Sequence, residues 1–223
     1  MNFRVPNRFG VTFSASLAAL LLTSCAVDED GNVAFDFGEP SKTSFSSRSG
    51  VGPQSKYYSK GHYVFVNESA LESLSPRNSK VVIDLRKQRA KIFKTDGGSK
   101  DKLVIETQIS SGRSEYPTPT GKFRVLEKAS QKNSNLYGKW VSPNGTTLIY
   151  DGDSREPPKN SPGATFRGSK MPYWVRVTPG GVGMHVGYVP NSPASHGCIR
   201  VPVKVQPLIY RNVRVGTPVS IIH

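Results

Sequence analysis

Cysteine and histidine are both scarce in this chain, with two cysteines and four histidines in 223 residues. Structural zinc sites normally bring four ligands of these types together. A thiolate site built on Cys198, His185 and His196 would be incomplete, because only His62 and His223 remain as further histidines. The composition therefore argues against a metal centre, and metal analysis of the purified domain would decide the point.

Long apolar runs are absent except near the start of the chain. Residues 1–24 combine a basic beginning, an apolar stretch at 17–22 and small residues directly before Cys25. The stretch is too short for a typical transmembrane helix, and the pattern is typical of a signal peptide. We therefore expect export of the protein and removal of residues 1–24.

The segment that ends at Cys25, Leu-Thr-Ser-Cys, resembles a bacterial lipobox. The resemblance implies cleavage before Cys25, lipidation of its sulfur and membrane anchoring through the lipid. Ala26, in place of an aspartate, implies the outer membrane of the cell envelope, with the protein facing the periplasm. A plain secretory signal cut elsewhere is the alternative. Residues 25–60 are too polar to bury a core, so we expect a flexible tether.

The chain carries a large excess of positive charge but no nucleic-acid-binding fingerprint. It has 30 Lys and Arg against 16 Asp and Glu, which gives a formal net charge of +14. A charge of this size favours polyanionic partners, and export favours the carboxylate-rich cell wall. Because the basic side chains are scattered, for example across 80–94, we expect no binding to DNA or RNA.

With Cys25 lipidated, Cys198 would be an unpaired thiol in an oxidising compartment. It lies in the run Ser-His-Gly-Cys-Ile-Arg at 195–200, and His185 lies eleven positions before His196. Nucleophilic catalysis by sulfur needs a thiolate, an imidazole and backbone N–H groups aimed at the oxyanion. The polar, positive neighbours predict a lowered pKa for the thiol, whereas the alternative is an inert buried cysteine. We interpret the chain as a cysteine acyl-transfer enzyme.

Strand patterns dominate the chain after residue 79. Runs of β-branched and apolar residues between turn residues predict strands at 81–85, 89–94, 103–109, 122–126, 174–177, 183–186 and 218–222. The region after Pro202 hints at a helix, but Pro207 lacks the N–H group that a helix interior uses. We therefore expect a mainly β domain over 79–223 with few short helices.

Two regions break this pattern. Residues 61–78 are a linker or carry short extra elements, namely a strand at 63–66 and a helix at 67–74 capped by Asn67. Residues 131–170 are crowded with Asn, Ser, Gly and Pro and predict a long loop. Such a loop inside a compact domain is usually functional, which favours a lid or substrate wall, although a surface insertion with no role is the alternative.

Several sequence features together resemble one known family. They are the run at 195–200, the upstream His185, the Tyr-Pro-Thr-Pro-Thr-Gly-Lys-Phe segment at 116–123 and the Met-Pro-Tyr-Trp segment at 171–174. The combination is similar to the catalytic domain of the L,D-transpeptidases, the YkuD family. The resemblance implies a β-sandwich with the cysteine at the mouth of a cleft, and activity on peptidoglycan stem peptides with no metal or organic cofactor. The gap between the two histidines is shorter than the family's common pattern.

The resemblance also assigns the reacting groups. It implies that Cys198 is the nucleophile, that His185 is the base, and that the backbone carbonyl of Val186 orients the imidazole. It further implies that Gly197 permits a sharp turn, which brings the backbone N–H groups of 196–198 close to the scissile carbonyl.

Four neighbouring residues receive supporting roles. His196 is expected to shape the pocket, with exchanged roles for His185 and His196 as the alternative, and Tyr173 is expected to add a hydrogen-bond donor. Arg200 either pairs with a substrate carboxylate or anchors the loop to a core acid. Ser195 is expected to contribute to substrate binding.

The implied reaction forms a thioester on Cys198 and releases the terminal D-alanine of a stem tetrapeptide. An amine then resolves the thioester, which gives a 3-3 crosslink if the amine is on another stem and an anchored protein if it is on a protein lysine. Two other interpretations stay open. One is an amidase or carboxypeptidase of the same family, and the other is a non-catalytic peptidoglycan-binding lipoprotein.

Overall fold

The structure is a computed structural model that describes residues 61–97, 100–190 and 192–223. These residues belong to one compact unit, Ser46–His223. The signal peptide, the lipidation of Cys25 and the tether at 25–60 were predicted for residues that lie outside the described ones. Within the described ranges, no helix combines the length and the apolar character that crossing a membrane requires.

Thirteen strands and two short helices make up the described part of the chain. The first half contains β1 (Val64–Val66), α1 (Glu68–Glu72), β2 (Ser79–Asp84), β3 (Arg89–Lys94), β4 (Lys102–Gln108), β5 (Gly121–Arg124) and β6 (Glu127–Ala129). The second half contains β7 (Asn133–Val141), β8 (Thr147–Asp153), β9 (Thr165–Lys170), β10 (Trp174–Arg176), β11 (Gly183–Val186), β12 (Ile199–Val201), α2 (Gln206–Asn212) and β13 (Pro218–Ile222).

The largest sheet has six strands in the order β1-β4-β3-β2-β13-β5. Alternating apolar residues in these strands place one face toward the core, as in β2, where Val81 and Ile83 are buried. The last strand, β13, runs parallel to β2 with Ile221 opposite Ile83, and the other pairs in this sheet are antiparallel. The predicted strands of this sheet are therefore confirmed.

A second sheet has four strands in the order β12-β11-β10-β6. Its β11 and β12 are parallel, with Met184 opposite Ile199. Both residues belong to the same hydrophobic cluster as Ile83 and Ile221 of the larger sheet. The two sheets thus close on one core, and the predicted β-sandwich is confirmed.

The helices are short, and each has a clear local cause. The Asn67 side chain accepts a hydrogen bond from the Ala70 N–H at 3.1 Å and caps α1, which, with β1 on the sheet edge, shows that residues 61–78 hold short extra elements. Pro207 does not prevent a second helix, so the expectation that it disfavours one was wrong. Pro207 lies in the first turn of α2, where a helix does not use the backbone N–H.

Residues 131–170 form a three-stranded antiparallel sheet in the order β8-β7-β9, so the predicted loop was wrong. The turn residues that suggested a loop make a hairpin connection, in which the Ser142 N–H donates to Thr146 O at 2.9 Å. Trp140 is buried and packs edge-on against Phe166, but most of the other side chains are exposed or half-buried. A sheet that buries so little apolar surface leaves no clear alternation in its sequence.

Candidate active site

Cys198 and His185 lie on neighbouring strands of the four-stranded sheet. His185 in β11 is in register with Arg200 in β12, and Cys198 is the residue before β12 begins. The backbone of Gly183, at the start of β11, hydrogen-bonds to the Cys198 side chain. Parallel strands lie about 4.8 Å apart, so the sheet brings the two predicted reacting groups to one place.

The His185 side chain is buried, and its imidazole is neutral at neutral pH. Its Nδ1 lies 2.8 Å from the backbone oxygen of Val186, and because a carbonyl only accepts, Nδ1 carries the proton and Nε2 keeps its lone pair. Burial lowers the pKa of His185 to about 4; the charge of Arg200 acts in the same direction and the Val186 hydrogen bond opposes it. At neutral pH Nε2 is therefore free to accept a proton. The hydrogen bond to Val186 is the one that the family resemblance implies.

The Cys198 thiol is protonated at rest, which corrects the expected lowering of its pKa. Burial raises the pKa of Cys198, while the hydrogen bond from Gly183 and the charge of Arg200 act against that rise without reversing it. The sequence neighbours are polar and positive, as predicted, but folding removes the sulfur from water and disfavours the charged thiolate. The Cys198 thiol and the His185 imidazole are thus both neutral at neutral pH.

The turn before Cys198 is fixed by its own residues. Gly197 has a φ of +104°, which a residue with a Cβ atom rarely adopts. The Ser195 hydroxyl donates to the backbone oxygen of Cys198 and accepts from the Gly197 N–H at 3.1 Å. Ser195 thereby stabilises the turn, and its predicted contact with substrate stays a prediction. The N–H groups of His196 and Cys198 remain as candidate oxyanion donors, whereas the Gly197 N–H already donates to the Ser195 hydroxyl.

Thr118 and Gly112 also stabilise the turn before Cys198. Neither residue was predicted from the sequence to belong to the site. The Gly112 N–H donates to the Thr118 hydroxyl at 2.9 Å, and this hydroxyl donates to the Gly197 oxygen at 2.7 Å. A Cβ on Gly112 would lie 2.8 Å from the Gly197 Cα atom, so the two backbones can approach only with glycine there. Thr118 belongs to the segment at 116–123 that carried part of the family resemblance, and this was the signal available.

The buried side chain of Gln88 connects the larger sheet to the turn before Cys198 through Ser111. The Gln88 side chain accepts from the Ser111 N–H at 2.9 Å and donates to the Ser111 hydroxyl at 2.7 Å. The Ser111 backbone oxygen in turn accepts from the N–H groups of Ala194 and Ser195 at 2.9 and 3.0 Å. The larger sheet is thus connected to the turn that carries Cys198.

His196 points to a different environment from that of His185. Its ring stacks on Tyr137 of β7, with centroids 4.0 Å apart and planes at 13°, and it also contacts Tyr116. The Arg113 Nη2 atom lies 2.9 Å from His196 Nε2, and a carboxylate oxygen of Asp151 lies 3.5 Å from the same nitrogen. Burial lowers the pKa of His196. The sequence did not predict Arg113, Tyr137 or Asp151 at the site, because they are distant from His196 along the chain.

Arg200 and Tyr173 make contacts within the protein, and these contacts do not test their predicted roles in substrate binding. Arg200 is half-buried and packs on Gly187, where a Cβ would lie 3.0 Å from the Arg200 Cγ atom. Among the described residues, no carboxylate lies within 4.0 Å of its guanidinium, so an anchoring acid is not found there. Tyr173 packs edge-on against Tyr210 of α2, and its backbone oxygen accepts from Gln206 at 2.8 Å. Their binding roles stay predictions.

Over residues 61–97, 100–190 and 192–223, no group of three or more His, Cys, Asp or Glu side chains is arranged to hold a metal ion.

Residues 78–221 match the model of one family, YkuD, described as the L,D-transpeptidase catalytic domain. The match covers more than half of the chain, and the protein therefore belongs to the L,D-transpeptidase catalytic-domain family. This is the family that the sequence features resembled. No curated protein gives a match to the sequence.

Solved L,D-transpeptidase structures are similar to this chain at low identity. One from Mycobacterium smegmatis is 22% identical with a TM-score of 0.49, over 66% of this chain and 59% of that one. One from Enterococcus faecium, a mutant, is 28% identical with a TM-score of 0.44, over 65% of this chain and 50% of that one. This chain thus spans less than two thirds of their length. Because both TM-scores are under 0.5, family membership rests on the family match.

Proposed function

We propose that this protein is a cysteine-dependent L,D-transpeptidase that acts on peptidoglycan stem tetrapeptides through a thioester on Cys198. The observation that carries the proposal is the hydrogen bond from His185 Nδ1 to the Val186 oxygen. It leaves His185 Nε2 as a proton acceptor on the strand beside the one that Cys198 precedes. A paired nucleophile and base, with the base oriented by a third group, is the arrangement that nucleophilic catalysis needs.

The first half-reaction acylates the enzyme. Because thiol and imidazole are both neutral at rest, the Cys198 proton moves to His185 Nε2 as the sulfur attacks the carbonyl carbon of the third stem residue. The backbone N–H groups of His196 and Cys198 stabilise the oxyanion. The intermediate then expels D-alanine, whose amine takes the proton from His185, and a thioester remains.

The second half-reaction transfers the acyl group. An acceptor amine gives a proton to His185 Nε2 and attacks the thioester carbonyl. Collapse of this intermediate forms an amide bond and releases the sulfur, which recovers its proton from His185. If water replaces the amine, the product is a free acid and the enzyme is a carboxypeptidase.

Intact-mass analysis with a tetrapeptide-bearing muropeptide tests this proposal. The wild type is expected to gain the mass of the muropeptide less D-alanine, and the product is expected to contain a new amide to the acceptor amine. Cys198→Ala is the control and should gain no mass. A protein that binds muropeptide without a covalent adduct would be a peptidoglycan-binding protein, and that result would overturn the enzymatic proposal. Product mapping separates crosslinking, protein anchoring and hydrolysis.

We also propose that the protein is anchored to the bacterial envelope by a lipid on Cys25 and faces the periplasm. The support is the lipobox-like segment at 22–25 and the polar residues that follow it. Acyl chains on the N-terminus give stable anchoring where one chain alone would be marginal. Metabolic labelling with a fatty-acid analogue should label the wild type and not Cys25→Ser. Label absent from the wild type, or kept in the variant, would leave a secreted enzyme.

A further inference from the structure

The three-stranded sheet contacts the catalytic turn through a cluster of polar and aromatic side chains around His196. Tyr137 of β7 covers one face of the His196 ring, and Asp151 of β8 brings a carboxylate to within 3.5 Å of its Nε2 atom. Arg113, from the connection between β4 and β5, approaches the same nitrogen at 2.9 Å. Arg113 and Asp151 thus both lie near the same nitrogen of His196.

The contacts of His196 Nε2 make opposite demands on its protonation. A guanidinium has only donors, so the Arg113 contact requires an unprotonated Nε2. An ionised carboxylate has only acceptors, so a hydrogen bond to Asp151 would require a proton on the same atom. The shorter distance is to Arg113, at 2.9 Å against 3.5 Å. Burial also lowers the pKa of His196, which agrees with a neutral ring that carries its proton on Nδ1.

Arg113 is itself held on three sides. Its backbone N–H donates to the Ser195 oxygen at 3.0 Å, and its guanidinium carbon lies 4.8 Å from the centre of the Tyr116 ring. Its Nη1 atom lies 3.4 Å from the Asp151 carboxylate. Arg113 is therefore connected to the turn through its backbone and to the three-stranded sheet through its side chain.

We propose that Arg113 is a positioning residue for the transpeptidase reaction, which fixes His196 as the Nδ1–H tautomer while Asp151 holds the Arg113 guanidinium. The inference rests on the proposed function, because Arg113 would position the turn that ends at Cys198, the proposed nucleophile. The backbone N–H groups of His196 and Cys198 are candidate oxyanion donors. On this proposal the Arg113 contact with the His196 ring adds to the hydrogen bonds that already fix this turn. The three-stranded sheet thereby contributes to catalysis without supplying a reacting group.

The tautomer can be read directly by NMR of the ¹⁵N-histidine-labelled protein at neutral pH, without substrate. Long-range ¹H–¹⁵N spectra distinguish the protonated ring nitrogen from the unprotonated one, and His196→Gln identifies the signals of His196. In the wild type we expect the Nδ1–H form. In Arg113→Met the donor to Nε2 is lost, Asp151 becomes the nearest partner, and we expect a change to the Nε2–H or the charged form.

The control is Asp153→Asn, which removes a carboxylate from β8, the strand that also carries Asp151. The Asp153 side chain pairs with Arg155 and makes no hydrogen bond to His196, so the tautomer should stay Nδ1–H. Circular dichroism of each variant checks that the fold is kept. A wild type with the Nε2–H form, or an Arg113→Met variant that keeps Nδ1–H, would overturn the assignment whatever the activity of the enzyme is.

Kinetics test the link from the tautomer to the reaction. Arg113→Met should lower kcat about 10-fold to 100-fold with a smaller change in KM, because a misplaced turn affects the transition state more than ground-state binding. Arg113→Lys keeps the charge and a donor, and should recover part of kcat. If the tautomer changes while kcat does not, Arg113 has no positioning role. Activity in Cys198→Ala would instead remove the proposed function, and would leave the tautomer result standing.

Discussion

The sandwich and the three-stranded sheet contribute to the active site in opposite ways. In the sandwich, Ile83 and Ile199 are fully buried, and the pairing of backbone strands brings Cys198 and His185 together. In the three-stranded sheet, Leu148 is 38% exposed, and the contact with the site is made by side chains. The proposed reacting groups are thus placed by the buried core of the sandwich, and the side chains around them by a sheet that buries little apolar surface.

His185 and His196 also differ in what surrounds their rings. His185 faces one uncharged backbone oxygen and is neutral because it is buried. Burial also lowers the pKa of His196, but His196 lies between Arg113 and Asp151, so charged partners act on its pKa as well. A base needs a free lone pair and a fixed ring, and His185 has both. His196 has its Nε2 lone pair engaged by Arg113, which suits a structural role in the turn.

The largest expected effect separates these two histidines. Cys198→Ala and His185→Ala should each lower kcat about 10⁴-fold or more, because nucleophile and base act as one unit. His196→Gln should cost about 10-fold to 100-fold, because a displaced turn weakens but does not remove the chemistry. The measurement is D-alanine release from a tetrapeptide-bearing muropeptide. Equal losses of kcat in His185→Ala and His196→Gln would contradict a reacting role for His185 and a structural role for His196.

A second experiment compares the two sheets by their stability. Ile83→Ala creates a cavity in the sandwich core and should cost about 2–5 kcal/mol of unfolding free energy. Leu148→Ala on β8 should cost less than about 1 kcal/mol, because its side chain already contacts water. Urea denaturation of both variants measures the difference. Similar losses would mean that the three-stranded sheet is part of the same cooperative core.

The sequence predicted the sandwich better than the three-stranded sheet for a physical reason. β2 alternates buried and partly buried residues, and such a pattern is visible in a sequence. β7 has exposed or half-buried residues along most of its length, so its order comes from pairing and not from burial. The three-residue strands β6 and β12 are too short to carry a pattern of their own.

The candidate site was predictable where chemistry is local and unpredictable where it depends on tertiary contacts. Cys198, His185 and the carbonyl of Val186 could be named from one motif and one upstream histidine. The raised pKa of Cys198 could not, because burial by the fold outweighs its polar sequence neighbours. Arg113 and Asp151 reach His196 from positions far along the chain, and only the pairing of strands brings them together.

The third expected effect is a loss of stability at acid pH that arises from His185. Burial lowers the folded-state pKa of His185 from its usual 6.5 to about 4. As pH falls below about 6.5 the unfolded chain binds a proton that the folded protein does not, so stability falls, and the loss is complete below pH 4. Between pH 7 and about 4.5 the wild type should lose about 2 kcal/mol through this group, and His185→Gln should lose correspondingly less. Equal losses in both proteins would contradict a buried, neutral His185.

The fourth expected effect concerns the contact between the turn and the rest of the sandwich. Thr118→Val removes the hydroxyl that joins the Gly112 N–H to the Gly197 oxygen, and should cost about 1–3 kcal/mol because both groups lose a partner. Thr120→Val, at an exposed position two residues later, is the matched control and should change stability little. Thermal unfolding measures both. If the two variants behave alike, the Thr118 hydroxyl does not hold the turn.

The central claim, that Cys198 is the nucleophile and His185 its base, is tested most directly by mapping a covalent adduct. A carbapenem presents a strained acyl group, which an activated thiol should open. Peptide-mapping mass spectrometry after exposure to a carbapenem should find the adduct on the peptide that contains Cys198. The adduct should be absent from Cys198→Ala and form much more slowly in His185→Ala. An adduct on another residue, or an unchanged rate in His185→Ala, would contradict the claim.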